Sequence, residues 1–382
     1  MANLSRRGTQ HGFSLIEIMV GVVIGMIAVL VIYQVFATSE GIKRNITAAG
    51  DAQQNGLLSS FMMGIELANA GNGLAVAAQD LGTCTPAAIA GTTLADVSTS
   101  FSNSLLPIPL LVFDGGGDNN PDAVFIYYGV GRTLVSAAPI SPPAGVPGPY
   151  SDWYVQSANG FKAGDAMVMI SQGGNCYSSK ADAVGPADAS GVVKVTQSRV
   201  GALAYDSSWT LLNLGPANLV QKVLYDVAGG SLRSTSLVDP ATGAPDNGQP
   251  TNPLASNIIN MKVQYGIDTV GDGLIHHWVP ATAGTAYGDW NPAALLAAPI
   301  ATINRIKAAR IAILVKSEQH DKDLAGQGFT RTVFNDCADG GTCYPVTFNV
   351  PAIAAATQPW GWRYRVYETV IPLRNEVWNK EV

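Results

Sequence analysis

An apolar stretch with a single charge in it sets the first limit on what this chain can fold into. From Phe13 to Phe36 there are 24 residues, and Glu17 is the only charged one among them. A helix of about 20 apolar residues spans a bilayer, so the run is long enough to cross. A carboxylate in such a helix costs about 3 kcal/mol on insertion scales, so Glu17 calls for a purpose and a partner. Gly12 stands just before the run, with Arg6 and Arg7 upstream of it. The order is basic leader, small residue, apolar helix, and it places a cut before the helix.

Three explanations of this N-terminus compete. A secretory signal peptide has an apolar core of about 7–15 residues with a small-residue cleavage site after it. This run is longer, and Val35-Phe36-Ala37 offers no such site. A plain anchor fits the length, with Arg6 and Arg7 holding the N-terminus in the cytoplasm. It gives no reason for Glu17 or for the Gly12-Phe13 junction. The third explanation does. Gly12-Phe13-Ser14-Leu15-Ile16-Glu17 resembles the prepilin cleavage motif of type IV pilins and type II secretion pseudopilins. The resemblance implies a leader of residues 1–12, cleavage by prepilin peptidase between Gly12 and Phe13, and N-methylation of Phe13. Cleavage would leave a free amine on Phe13, one helical turn from Glu17. In a bundle of parallel helices, the Glu17 carboxylate of one subunit then pairs with the amine of a neighbour. Each buried charge gains a counter-charge, and the pair sets the axial register, as polar residues do in coiled-coil seams.

Beyond Phe36 the pattern becomes amphipathic. Ile42, Ile46, Ala49, Gln53, Leu57, Phe61 and Ile65 follow 3–4 spacing. One helix is expected over 13–68, with 13–36 in the membrane and the later stripe packed against a globular head. Gly41, Gly50, Gly56 and Gly64 each weaken it by about 1 kcal/mol relative to Ala. Asn69-Ala70-Gly71-Asn72-Gly73 stops it. Gly21 and Gly25 form a G-x-x-x-G, which allows close helix packing but also arises by chance in Gly-rich apolar sequence.

The remainder, residues 74–382, consists of short apolar runs punctuated by Gly, Pro, Asn and Asp. Strands are expected at Ile108–Phe113, Ala123–Val130, Ala166–Ile170, Val192–Thr196, Leu219–Asp226, Ile258–Ile267, Ala308–Val315 and Arg363–Leu373. A short helix is expected within Pro292–Ile306. Ala138–Pro149, with five prolines, and Asp239–Pro253, with four, are expected as long loops, either surface insertions or a subdomain boundary. The fold class is α+β: a long N-terminal helix, half transmembrane and half amphipathic, on an antiparallel β-rich head.

That order is the pilin-like architecture, and the head carries further resemblances. Leu67-Ala68-Asn69-Ala70-Gly71-Asn72-Gly73 resembles the helix exit of PilW-type minor pilins. Tyr265-Gly266-Ile267-Asp268-Thr269-Val270-Gly271-Asp272-Gly273 is similar to their Asp- and Gly-rich loop, with Val270 where an Asp is expected. Lys307–Ser317 resembles one of their strands, and Pro372-Leu373-Arg374-Asn375 their closing segment. Residues from about 130 to 255 resemble nothing in that family. The resemblance implies a structural minor pilin that primes or caps a type IV pilus. Its partners would be other minor pilins, the major pilin, the prepilin peptidase, the inner-membrane assembly platform and a tip adhesin. It would sit in the inner membrane as a single-pass protein with a periplasmic head, then in the fibre or at its tip. A type II secretion tip pseudopilin is the alternative within the family. An adhesin or carbohydrate-binding module, using Trp360, Trp362, Tyr364 and Tyr367, is the alternative outside it; core packing of those rings is the plainer account.

Composition narrows the chemistry. The chain has 382 residues, 13% charged, with a formal net charge of −6 and no basic stripe, which argues against nucleic-acid binding. Four cysteines behind a membrane-targeting segment suggest two disulfides in an oxidising compartment. Three connectivities are possible. Cys337–Cys343 is favoured because Ala-Asp-Gly-Gly-Thr between them turns tightly, and that leaves Cys84–Cys176. Asp114, Asp118 and Asp122, with Asn119 and Asn120, offer oxygen ligands of the type calcium prefers. Asp268 and Asp272 are a poorer calcium pair. Hairpin turns that use Asp, Asn and Gly for backbone reasons explain both loops equally well, so no metal or other cofactor is favoured. His276 and His277 are adjacent and would face opposite sides of a strand. No nucleophile motif or phosphate-binding loop is present, so no enzyme activity is expected.

Overall fold

The computed structural model describes residues 14–73, 108–130, 137–157, 160–170, 176–198, 201–238, 249–298, 300–321, 324, 327–337, 341–352 and 361–373. The chain divides into two compact units, one ending at Asp51 and the other starting at Ala52.

A single helix, α1 (Leu15–Asn69, 55 residues), runs through both units. At 1.5 Å per residue it is about 80 Å long. In the first unit every residue from Leu15 to Phe36 is exposed. A helix that is apolar on all sides and uncovered by protein has lipid as its natural solvent.

In the second unit the helix has two faces, and the one against the head is not the apolar stripe expected from the sequence. Ala52, Gly56, Ser59, Met63, Leu67 and Ala70 are buried. Leu57, Phe61 and Ile65 point outward and are 53%, 65% and 46% exposed. The reason is distance of approach. A Cβ on Gly56 would stand 2.1–2.8 Å from ring atoms of Tyr367, so only a glycine lets the helix lie this close. Small residues mark the packed face around Gly56, Met63 and Leu67 fill it further along, and Leu57, Phe61 and Ile65 are left outside. At the exit, Gly71 adopts φ 76°, and its N–H donates to the Tyr127 carbonyl at 2.9 Å. Gly129 N–H donates back to Asn72 O at 2.7 Å, and Tyr128 Oη donates to Glu66 Oε2 at 2.8 Å. The end of the helix is thus stitched to the head it packs on.

The head begins with β1 (Leu110–Phe113) and β2 (Ala123–Tyr128), a hairpin whose strands are buried along nearly their whole length. Next come β3 (Ala138–Pro139), β4 (Trp153–Val155), β5 (Asp165–Ile170), β6 (Cys176–Ala187), β7 (Val193–Gln197) and β8 (Thr210–Pro216). These form a six-stranded sheet of their own in the order β3-β8-β5-β6-β7-β4. The first sheet then resumes with β9 (Gln221–Ala228), which pairs directly with β2, followed by β10 (Ser231–Ser236) and β11 (Thr251–Ser256). The strands β3–β8 are therefore an insertion between two neighbours of one sheet. Alternation along β5 and β8 joins the insertion to the rest. Val168, Ile170, Leu212 and Leu214 face the main core, whereas Met167, Met169 and Leu211 face a second core around Trp153 and Phe161.

A third sheet has the order β13-β12-β14-β17, from β12 (Ile258–Ile267), β13 (His277–Pro280), β14 (Ile306–Lys316) and β17 (Tyr364–Pro372). A ribbon of β15 (Thr330–Val333) and β16 (Val346–Asn349) lies over it, and two short helices, α2 (Pro292–Ala297) and α3 (Ile300–Ile303), precede β14. All strand pairs are antiparallel. The main core is filled by α1 residues together with the inner faces of the first and third sheets. This is a pilin-like α+β arrangement.

Two expected loops need correction. Ala138 and Pro139 pair with β8, and Ile140 bridges Val155, so the proline-rich segment starts inside the inserted sheet. Residues 251–253 belong to β11, where Pro253 is tolerated because β11 is an edge strand. Residues 239–248 of that segment, and the expected Arg374-Asn375 ending, lie outside the described residues.

The two helix glycines of the second unit separate propensity from packing. No atom lies within 4 Å of a Cβ on Gly64. Gly64→Ala is expected to raise stability by about 1 kcal/mol through helix propensity. Gly56→Ala gains the same propensity but meets the Tyr367 ring, and overpacking of about 1–3 kcal/mol reverses the sign. Thermal melts of the detergent-solubilised protein, followed by circular dichroism, check the opposite shifts.

Candidate functional site

Glu17 lies in the first turn of α1, and its backbone N–H donates to Ser14 O at 3.0 Å. Its side chain is exposed, as are the apolar residues around it. Gly12 and Phe13, the expected cleavage and methylation pair, lie outside the described residues. The carboxylate thus stands on an uncovered apolar helix, where its counter-charge has to come from elsewhere.

In the head the polar chemistry gathers on the outer face of β12 and β14. Both strands are buried on both faces. Met261, Val263, Tyr265 and Ile267 fill the main core, while Lys262 and Gln264 alternate to the other side. Gln264 sits opposite Arg310 in the antiparallel register. Arg310 is 1% exposed. Its Nε and Nη2 donate to Gln264 Oε1 at 2.9 and 2.7 Å, and its Nη1 donates to Asp336 Oδ1 at 2.7 Å. Its guanidinium lies 4.9 Å from the Trp278 ring centre and 4.5 Å from that of Phe334. Gln264 Nε2 donates to Tyr344 O at 2.6 Å. The Cys337–Cys343 disulfide closes the loop between Asp336 and Tyr344, the two residues that this polar seam holds. Cys84 lies outside the described residues, so the second expected pair is not addressed.

Lys262 supplies the other half of the seam. Its Nζ donates to Asp114 Oδ1 and Asn120 O, both at 3.1 Å, and to Asp122 Oδ1. All three ammonium protons are therefore used. Asp122 also accepts from Gly115 N–H at 3.0 Å and Val263 N–H at 2.9 Å. Burial pushes the Asp122 carboxyl up to about 6, against the pull of Lys262 and the two backbone donors, and the Lys262 ammonium is held above its ordinary range by Asp122 and Asp114 although burial opposes it. Asp118 turns away and accepts from Thr347 N–H on β16 at 2.8 Å. Of the calcium candidates Asp114, Asp118 and Asp122, only Asp114 and Asp122 come together, and a lysine stands as the cation between them.

Asp268 begins the β12–β13 turn. Its Oδ1 accepts from Val270 and Gly271 N–H at 2.9 and 2.7 Å, and its Oδ2 from Gly273 N–H at 2.6 Å. Burial alone would raise its carboxyl, but these donors and nearby Lys307 outweigh it and hold the group below the ordinary carboxylate value. His276 turns toward Asp268 and Asp272, while His277 stacks on Tyr287 at 3.8 Å, so the two imidazoles do part. The aromatic candidates near the last strand are engaged internally. Tyr367 lies against Gly56, Tyr364 meets Phe329, and Trp362 packs edge-on to His320 beneath Lys316. Trp360 lies outside the described residues.

Residues 7–33 match the prokaryotic N-terminal methylation motif. Residues 224–375 match the family described as Type IV Pilus-assembly protein W. The two matches together support a PilW-type pilus-assembly protein with a prepilin methylation motif. No curated protein and no solved structure matches it. The PilW-matched stretch contains β12, β14 and β17, hence the strand side of the polar seam. The inserted strands β3–β8 lie wholly outside it.

The seam makes a testable demand. Lys262→Met leaves Asp122 buried without its cation and is expected to cost about 3–5 kcal/mol. Adding Asp122→Asn removes the stranded charge and should recover a large part of the loss. Urea unfolding of the single and double variants measures both steps; equal stability of the two would contradict the ion-pair account.

Proposed function

We propose that this PilW-type protein is a minor pilin that primes assembly of a type IV pilus, or caps it, after prepilin peptidase has cut between Gly12 and Phe13. The observation that carries this is Glu17: one exposed carboxylate on a helix that is otherwise apolar and uncovered from Leu15 to Phe36. A simple anchor has no use for it, and in hydrocarbon it requires a partner. The amine of a processed and methylated Phe13 on a neighbouring subunit is that partner. The protein waits as a single-pass inner-membrane protein, with residues 1–12 removed and the head in the periplasm. It then joins sister minor pilins and the major pilin on the assembly platform.

Further support comes from the outward residues of the helix. Ile42 and Ile46 in the first unit, and Leu57, Phe61 and Ile65 in the second, remain exposed. They give neighbouring helices an apolar surface to pack on. The PilW match favours a pilus over the secretion-system alternative. A tip adhesin is a further partner of such a priming complex.

Two measurements test the proposal. Mass spectrometry of the mature N-terminus is expected to find methylated Phe13; an intact Met1, or a start after residue 37, would refute the processing. Glu17→Ala should give a processed, membrane-held protein that is absent from sheared pili. Its incorporation at the normal level would sink the intersubunit pair.

A further inference from the structure

A second constellation stands apart from the membrane helix and the polar seam, at the tip of the β12–β13 hairpin. One ligand atom from each of Asp268, Asp272 and His276 lies within 4.8 Å of the others. The turn is wrapped around Asp268, whose carboxylate takes the three backbone N–H groups of Val270, Gly271 and Gly273. Gly271 and Gly273 have φ of 87° and 85°, which is what allows the chain to curl so tightly. His276 is then fixed at the foot of the turn, where its N–H donates to Ile267 O at 2.9 Å. Its Nδ1 faces Asp268 Oδ1 at 3.4 Å, and its Nε2 faces Asp272 Oδ2 at 3.4 Å.

Neither contact is short enough for a charge-assisted hydrogen bond, which runs about 2.7–2.9 Å. The Nδ1 atom is buried and has no hydrogen-bond partner. A buried polar atom without a partner calls for an explanation. A cation between it and Asp268 supplies one. Two ligands at about 2.1 Å from a tetrahedral metal stand about 3.4 Å apart, which matches the Nδ1 to Oδ1 separation.

We propose that Asp268, Asp272 and His276 form a binding site for a divalent transition-metal ion of the zinc class. The donor set selects the class. Calcium takes six to eight oxygen ligands, and this turn has Val270 where another carboxylate would sit. An imidazole with two carboxylates suits zinc and its first-row neighbours. Asp268 keeps an acceptor position beyond its three backbone donors. Asp272, whose Oδ1 accepts from Leu274 N–H at 2.9 Å, offers the other oxygen of its half-exposed carboxylate, and water completes the coordination. Bound metal would hold the hairpin tip, including Val270 and Leu274, which are 73% and 65% exposed, as one fixed surface.

The test uses the untagged full-length protein in detergent, stripped with a chelator and titrated calorimetrically with zinc chloride and, separately, calcium chloride. Cobalt(II) provides a visible-absorption readout of imidazole and carboxylate ligation. One equivalent of zinc is expected, with affinity reduced at least tenfold in both His276→Ala and Asp272→Asn. These variants keep Asp268, around which the turn folds, and circular dichroism melts of the metal-free forms establish that they are folded. His277→Ala, which removes the imidazole stacked on Tyr287, should bind as the unchanged protein does. Absence of stoichiometric zinc uptake, zinc binding unaltered by the two variants, or calcium binding that ignores His276→Ala would overturn the proposal and leave a histidine–carboxylate bridge only.

Discussion

Strands β12 and β14 are excluded from water on both faces, so the charged side chains they carry depend on partners inside the protein. One face presents Met261, Val263, Tyr265, Ile311 and Ile313 to the main core. The other presents Lys262, Gln264 and Arg310. A buried charge without a partner costs several kcal/mol, and this need organises the loops around the sheet. The 114–122 loop brings Asp114 and Asp122 to Lys262, and the disulfide loop brings Asp336 and the Tyr344 carbonyl to Arg310 and Gln264. Segments that look like plain surface connections in the sequence thereby supply the counter-groups of the buried strands.

The helix obeys a different constraint, that of approach. Its head-facing side is built from Ala52, Gly56, Ser59, Met63 and Leu67, and the closest point is Gly56 against the Tyr367 ring. Leu57, Phe61 and Ile65 are left outside. In a protein that joins no other subunit such an exposed stripe would be a liability. Under the proposed function it is surface for neighbouring helices to pack on.

The sheet β3–β8 lies in the chain between two strands of another sheet. It enters between β2 and β9, which still pair as though nothing stood between them. The insertion leaves the parent sheet unbroken because β5 and β8 turn one face to the main core and keep the other for a core of their own. The family match covers the closing sheet and includes neither β1 and β2 nor the insertion.

Much of this was legible in the sequence, for reasons of short range. Apolar run length, the lone Glu17 and the Gly12-Phe13 junction are local patterns, and they pointed to the family and to the long apolar helix. Period-two alternation located β12 over Ile258–Ile267 and most other long strands. Short or polar strands such as β4, β6, β10 and β13 carry too little periodicity to be found that way. What only the tertiary structure decided was which side of each element is inside. Lys262, Gln264 and Arg310 look like the wet face of a half-exposed strand until distant loops cover them. Leu57, Phe61 and Ile65 look like a packing stripe until Gly56 is seen against Tyr367. Asp268, Asp272 and His276 become a cluster only once the turn has curled. Sequence records each residue's own preference for water or oil, whereas burial is set by partners far along the chain, and those partners meet only in three dimensions.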